Sequence, residues 1–171
     1  MRGYVQVYTG DGKGKTTAAI GLAVRAAGAG LKVFIAQFVK EGAYSEVHAL
    51  ERLSPAITCR QYGSGCFIVD EPTDEDVRLA QQGFDEVRRV VGAGQHDVVI
   101  LDEGNVATHF KLIAVEQLLD LIESKPEHVE LVITGRRADP RLIERADLVT
   151  DMGEVKHYYQ QGVSARKGIE S

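Results

Sequence analysis

Several kinds of protein are excluded by what this sequence has little of. Its 171 residues include two cysteines, Cys59 and Cys66. Their spacing matches no metal-ligand pattern, and two thiols suit a reducing compartment better than a disulfide scaffold. No apolar run approaches the ~18 residues that a membrane span needs. Positive charge is not in excess: 20 Lys and Arg stand against 25 Asp and Glu, a net charge of −5 with both signs interspersed. That leaves no electrostatic footprint for nucleic acid. His48, His96, His109 and His128 are scattered and form no metal set. Repeats and low-complexity tracts are absent. Strand-like residues begin at about Gly3, so the start of the chain has no signal-peptide layout. These features point to a cytoplasmic protein acting without membrane or nucleic acid.

What is present is an ordinary globular composition, 44% apolar and 26% charged, at a length that fits one domain spanning 1–171. Strand and helix patterns alternate along it. "YVQVY" (4–8) reads as a strand, and Lys15 to about Ala29 as an alanine-rich helix closed by glycine. A strand over 32–38 follows, then a short helix over 45–53 with Ser45 as its cap, and a strand over 56–63. From Asp74 the apolar residues Val77, Ala80, Phe84, Val87 and Val91 recur near helical spacing. Strands over 97–103 and 129–134 enclose a helix over 115–124 that Pro126 stops. A helical turn or two over 139–146 precedes two strand-like pieces, "DLVTDM" and "EVKHYYQ". Strands separated by helices predict parallel βαβ units: an α/β fold with an open, mostly parallel sheet and helices on both faces. The unbroken apolar runs "VVIL" and "LVI" fit strands buried on both sides.

The stretch "TGDGKGKTT", Thr9 to Thr17, joins the first strand to the first helix. That is the context of a phosphate cradle, though Thr9 stands where the pattern G-x-x-x-x-G-K-[ST] has its first glycine. Glycine falls instead at every second residue: Gly10, Gly12 and Gly14. Glycines let backbone N–H groups converge on an anion, and the helix start adds unpaired donors. Lys15 supplies a point charge to phosphate oxygens, Lys13 adds a second cation, and the Thr16 hydroxyl suits Mg²⁺.

"VVILDE" places Asp102 and Glu103 at the C-terminal end of a buried strand, the edge where ligands sit in open α/β sheets. Neighbouring strand residues face opposite ways. One acid then holds Mg²⁺, and the other faces the substrate or caps the next element. "TGRR" brings arginine to the same edge, with Arg136 preferred over Arg137 as a fork onto phosphate. Gln37 and Phe38 end the second strand there, as packing or as ligand contacts. The residues alone define a Mg-nucleotide site and do not say which bond breaks.

The stretch "YTGDGKGKTTAAIGLAVRAAGAGLKVFIAQFVKEG" resembles the start of the ATP:corrinoid adenosyltransferases, and "VVILDE", "VITGR", "ERADLVTDM" and "VKHYYQQGVSARKGIE" follow in the same order. The likeness covers nearly the whole chain. It implies a phosphate-loop NTPase-like, RecA-like fold. It also implies transfer of the 5′-deoxyadenosyl group of ATP to the cobalt(I) of a reduced corrinoid, cob(I)alamin or cob(I)yrinic acid a,c-diamide, with release of tripolyphosphate. Family members hold the triphosphate the opposite way round from most phosphate-loop enzymes, and no protein base is needed because the nucleophile is the substrate's metal.

Carried onto this sequence, the resemblance makes Thr9, Gly10, Asp11, Gly12, Lys13, Gly14, Lys15, Thr16 and Thr17 the nucleotide-binding set. Thr16 with Glu103 or Asp102 holds the metal, and Lys15 and Arg136 stabilise the leaving group. Some members carry two aromatics in the loop after the third strand that displace the lower axial ligand of cobalt. Here "GSGCFIVDEPTDED" has only Phe67, which becomes the candidate wedge against the corrinoid. Residues 153–171, with Lys156, His157, Arg166 and Lys167, are expected over or near the active site. A homodimer is expected, as is a reductant, either an electron-donor protein or a flavin. Two rival readings stand beside this one: a phosphate-loop ATPase or small-molecule kinase, and a non-catalytic ATP- or corrinoid-binding module.

Overall fold

A computed structural model describes residues 2–42, 44–65 and 71–170. It contains strands β1 (Val5–Thr9), β2 (Val33–Phe38), β3 (Ile57–Tyr62), β4 (Val98–Asp102), β5 (Glu130–Thr134) and β6 (Leu148–Asp151). The helices are α1 (Lys15–Gly28), α2 (Ser45–Glu51), α3 (Asp74–Ala93), α4 (Gly104–His109), α5 (Val115–Ser124) and α6 (Pro140–Arg145). The six strands form one sheet in the order β3-β2-β4-β5-β1-β6, and every described pairing is parallel.

Side chains divide between the two faces with period two. Phe34, Ala36, Phe38, Val99, Leu101, Leu131 and Ile133 join a cluster with Phe84 and Val87 of α3 and Leu118 and Leu121 of α5. Val33, Ile35, Val98, Ile100 and Val132 join Ala19, Ala23 and Ala26 of α1 and Leu50 of α2. The fold is therefore a three-layer α/β sandwich with helices on both faces. The buried positions of α1 are mostly alanines, which let that helix lie close to the sheet. α3 is held at both ends: Thr73 and Asp76 form a reciprocal capping box, and Gly94 closes it in the left-handed conformation.

Three expectations change. α4 was not foreseen, because "GNVATH" has no helical apolar period; three of its residues, Gly104, Asn105 and Ala107, are nonetheless buried. "EVKHYYQ" is not a strand. The sheet ends at β6 without it, and Tyr158–Gln161 form a 3-10 turn whose contacts lie within the tail. Ser45 is the first residue of α2, while Tyr44 takes the capping position in extended conformation. No helix among the described residues is long and apolar enough to cross a membrane.

Candidate active site

The sheet order sets β4, β5 and β1 side by side, so the C-terminal ends carrying Asp102, Thr134 and Thr9 are neighbours. The phosphate loop leaves β1 there. Gly10 and Gly14 have φ of 96° and 123°, which side chains with a β-carbon rarely adopt. Gly12 serves a different need. Its N–H donates to the Met152 carbonyl at 2.7 Å, and a β-carbon there would stand 2.6 Å from that oxygen. The alternating glycines thus turn the chain at two points and admit the segment after β6 at the third.

Lys15 is folded back into the loop and buried. Its Nζ donates to the carbonyls of Gly10 at 2.7 Å and Gly12 at 2.6 Å. Burial, and then the charge of Arg136, push its pKa below the usual lysine value, outweighing the acids Glu103, Asp11 and Asp151. α1 begins without a side-chain cap, so its first N–H groups remain available to an anion.

Asp102 is the hub of the site and is 1% exposed. Its Oδ1 accepts from Thr16 Oγ1 at 2.8 Å and Thr134 Oγ1 at 2.7 Å. Its Oδ2 accepts from Lys40 Nζ at 2.8 Å and Gln37 Nε2 at 3.2 Å. Gln37 is anchored in turn by Gln61, whose Nε2 donates to it at 3.1 Å. Burial lowers the affinity of Lys40 for its proton, but the Asp102 carboxylate more than offsets this and the pKa is raised. The reason for this geometry is the strand period: Asp102 follows Val98 and Ile100 onto the α1 face.

Glu103 does not continue that alternation. It leaves the strand at φ 59° and takes the N-cap position of α4 without a side-chain cap bond. Burial first, and then the neighbouring Asp102 charge, raise its pKa above the usual carboxylate value. The folded chain therefore holds this proton more tightly than the unfolded chain does. Ionising Glu103 costs stability above the raised value, and the cost disappears below the unfolded carboxylate value of about 4.3. We expect Glu103→Gln to raise Tm by about 2 °C at pH 8 without nucleotide. The gap should close as pH falls toward 4, measured by thermal unfolding across that range.

The loop, Asp102's partners and the tail enclose a cleft of about 780 Å³, lined by Lys13, Lys15, Thr16, Thr17, Lys40, Glu103, Arg136 and His157. Gly168, Ile169 and Glu170 form a further wall. They are tied down by Lys13, whose Nζ donates to the Ile169 carbonyl at 2.8 Å. Glu170 bonds Tyr158 and Arg166, and those two with Lys13 form its surroundings.

The sequence-predicted residues are not all in the cleft. Thr9 turns its hydroxyl to the Ala138 N–H at 3.4 Å, and Asp11 lies exposed on the outside of the loop. Arg136 lines the cleft, whereas Arg137 turns to His109 Nε2 at 2.7 Å. That pair borders a separate hollow of about 590 Å³ which contains neither the loop nor Asp102. Phe67 and Cys66 lie outside the described residues. Cys59 sits on β3, where burial pushes its thiol up to about 11 and so disfavours the reactive thiolate. Among the described residues no cluster of His, Cys, Asp and Glu could hold a metal by itself. Sequence reasoning missed Lys40 and Thr134. The signal for Lys40 was available: a cation two residues beyond "QF", at the edge that singled out Arg136.

A phosphate loop on a parallel sheet, with a buried aspartate on the adjacent strand end bonded to the loop threonine, defines a nucleotide-binding protein of the phosphate-loop class. The family model described as ATP:corrinoid adenosyltransferase BtuR/CobO/CobP matches residues 1–171, and the chain belongs to that family. It is 34% identical over 170 residues to the corrinoid adenosyltransferase of Pseudomonas aeruginosa, covering 99% of this chain and 84% of that protein. It is 33% identical to the corrinoid adenosyltransferase of a Sinorhizobium species, covering 99% and 80%. The corrinoid adenosyltransferase of Escherichia coli K12 is 31% identical, covering 99% and 86%.

Proposed function

We propose that this protein transfers the 5′-deoxyadenosyl group of ATP to the cobalt of a reduced corrinoid and releases tripolyphosphate. The observation that carries the reading is the family match over residues 1–171, which takes in the loop, the strand-end acid, "TGR" and the ending. The cleft supplies the chemistry. The cobalt(I) electron pair attacks the ribose 5′ carbon, a Co–C bond forms, and the C–O bond to the triphosphate breaks. The whole triphosphate leaves, so negative charge grows on the oxygen that was bonded to carbon. Lys15, the N–H groups at the start of α1, and Arg136 bind and stabilise that charge. Thr17 and Lys13 add contacts along the chain of phosphates.

The donors at Asp102 fit Mg²⁺. A cationic group already sits among hard oxygens there: Lys40 Nζ is 2.8 Å from Asp102 Oδ2 and 3.3 Å from Thr16 Oγ1. Thr16 and Asp102 would hold the ion, with Glu103 beside them, and it would neutralise triphosphate charge. The same reading expects a homodimer and an external reductant that delivers cobalt(I).

The test is an anaerobic mixture of the purified protein with ATP, Mg²⁺ and chemically reduced cob(I)alamin. Light-sensitive adenosylcobalamin with one tripolyphosphate per turnover is the expected result. ADP and phosphate with unaltered corrinoid, also when cob(I)yrinic acid a,c-diamide is offered, would make the loop a conventional phosphate-transfer site.

A further inference from the structure

Lys40 stands near the end of the opening stretch that carries the family resemblance, with no role assigned to it there, yet the backbone around it is shaped to place it. It follows Val39, whose φ is 59°. A β-branched residue rarely tolerates that conformation, and such strain concentrates at functional sites. Gly63, just beyond β3, packs against the same backbone: a β-carbon there would lie 2.5 Å from the Lys40 nitrogen and 2.7 Å from the Val39 carbonyl carbon. The turn redirects the lysine from the end of β2 into the cleft, where its side chain is 17% exposed beside an Asp102 side chain that is 2% exposed. Its ammonium contacts both Asp102 Oδ2 and Thr16 Oγ1, the two groups assigned above to the metal.

We propose that Lys40 is a tethered counter-ion that occupies the metal position in the nucleotide-free protein. Mg²⁺ entering with ATP displaces it, and the released ammonium binds the triphosphate. The inference rests on the reading of Thr16 and Asp102 as metal ligands. Its physical basis is that a buried carboxylate requires a positive partner. Lys40 is the only Lys or Arg among the described residues in an ion pair with Asp102. An ion held by both Asp102 and Thr16 would take the place where the ammonium now stands, 2.8 Å from Asp102 Oδ2 and 3.3 Å from Thr16 Oγ1, so Lys40 moves aside when the metal binds there. The lysine lines the same cleft as Lys15, Thr17 and Arg136, so a displaced ammonium stays beside the phosphates. The device keeps Asp102 neutralised and aligned with Thr16 before substrate arrives, and it discourages the empty site from capturing a free divalent ion.

Two binding measurements with opposite expected signs test this. Mn²⁺ binding to the nucleotide-free protein is followed by the electron paramagnetic resonance of free Mn²⁺. ATP binding in the presence of saturating Mg²⁺, where the lysine is already displaced, is followed by calorimetry. Removing the ammonium in Lys40→Met should tighten Mn²⁺ binding at least fivefold and weaken ATP binding at saturating Mg²⁺ about tenfold. Lys40→Gln, which keeps a donor beside Asp102, guards against a folding defect and should shift both in the same directions. Lys40→Arg should restore ATP binding. A lysine that merely supports the fold would lower both affinities together, and that result, or unchanged Mn²⁺ affinity, overturns the proposal. Unchanged ATP affinity overturns the movement onto phosphate. The metal reading is checked separately with Thr16→Ala: if Mn²⁺ retention with ATP is the same as in the unaltered protein, the ligand assignment fails, whatever Lys40 does.

Discussion

Lys15→Met lowers the rate of adenosyl transfer by about a thousandfold while leaving the protein folded. The magnitude follows from losing one preorganised charge at the site where the leaving group becomes negative, an effect of about 10²–10³. The geometry makes Lys15 more than one contact among many. Its Nζ spans the Gly10 and Gly12 carbonyls, so it braces the loop as well as lining the cleft. It is also desolvated, and Arg136 stands close enough to depress its pKa. An anion between the two cations would relieve their repulsion, and on the proposed function the departing triphosphate supplies it. The loss should therefore appear in single-turnover formation of adenosylcobalamin as well as in ATP affinity. Thermal unfolding serves as the control and should change by less than about 3 °C, since Gly12 borders the open cleft and its freed carbonyl can reach water. Transfer within tenfold of the unaltered protein would remove Lys15 from the leaving-group site. Lys15→Arg is expected to fail as well, because a planar fork cannot replace a point charge between two carbonyls.

Gly12→Ala is the second large effect, and here stability falls together with binding. The added β-carbon would stand 2.6 Å from the Met152 carbonyl oxygen and 2.9 Å from that of Gly153. Both are backbone atoms of the segment that follows β6, and the Gly12 N–H is bonded to the first of them. Neither side can yield without separating the loop from that segment. The cost expected for such overpacking is about 2 kcal/mol, or a Tm lower by about 6 °C. Gly10→Ala meets Asp151 and Met152 in a conformation with φ of 96° and should be at least as damaging. Gly21→Ala is the control. It lies on α1 with nothing near its missing β-carbon, and replacing an exposed helical glycine should raise stability slightly. A Gly12→Ala protein with unaltered Tm and ATP affinity would mean that the loop and the β6 segment part freely.

Much of the architecture was legible in the residues. Among the described residues, the six strands and five of the six helices could be placed: the inner parallel strands are short apolar runs, helices such as α3 carry a 3.6-residue stripe, and β6, exposed throughout, showed only as a short β-prone piece. The loop was readable because a phosphate cradle needs glycine, lysine and threonine in fixed order. α4 was not readable, since a helix of six residues has no period to display. Helix α2 lost its expected Ser45 cap because one polar residue near a helix start does not fix the boundary. The ending misled for a related reason. "EVKHYYQ" has the composition of a strand, but composition does not decide pairing: the outer edge of β6 is left unpaired among the described residues, and the segment does not take it. Its rings pair instead within the tail, where Arg166 lies 5.0 Å from the Tyr158 ring centroid.

The sequence by itself determined the fold class and the order of the elements. It also determined that one nucleotide-holding loop and one acidic strand end lie at the same sheet edge. These follow from local patterns, because burial on one or both faces imposes a period and backbone approach to phosphate demands glycine. Tertiary structure alone decided which acid faces the loop threonine. Asp102 remains in register on the α1 face, while Glu103 swings out at φ 59°. It alone gave Asp102 its four partners, drawn from α1, β2, β5 and the turn after β2. Those residues lie between 32 and 86 positions away in the chain. No local pattern encodes that distance; the strand order β2-β4-β5-β1 does. Lys40 belongs to the same category: an ordinary surface cation in the sequence becomes the counter-ion of a buried carboxylate only when β2 and β4 pair.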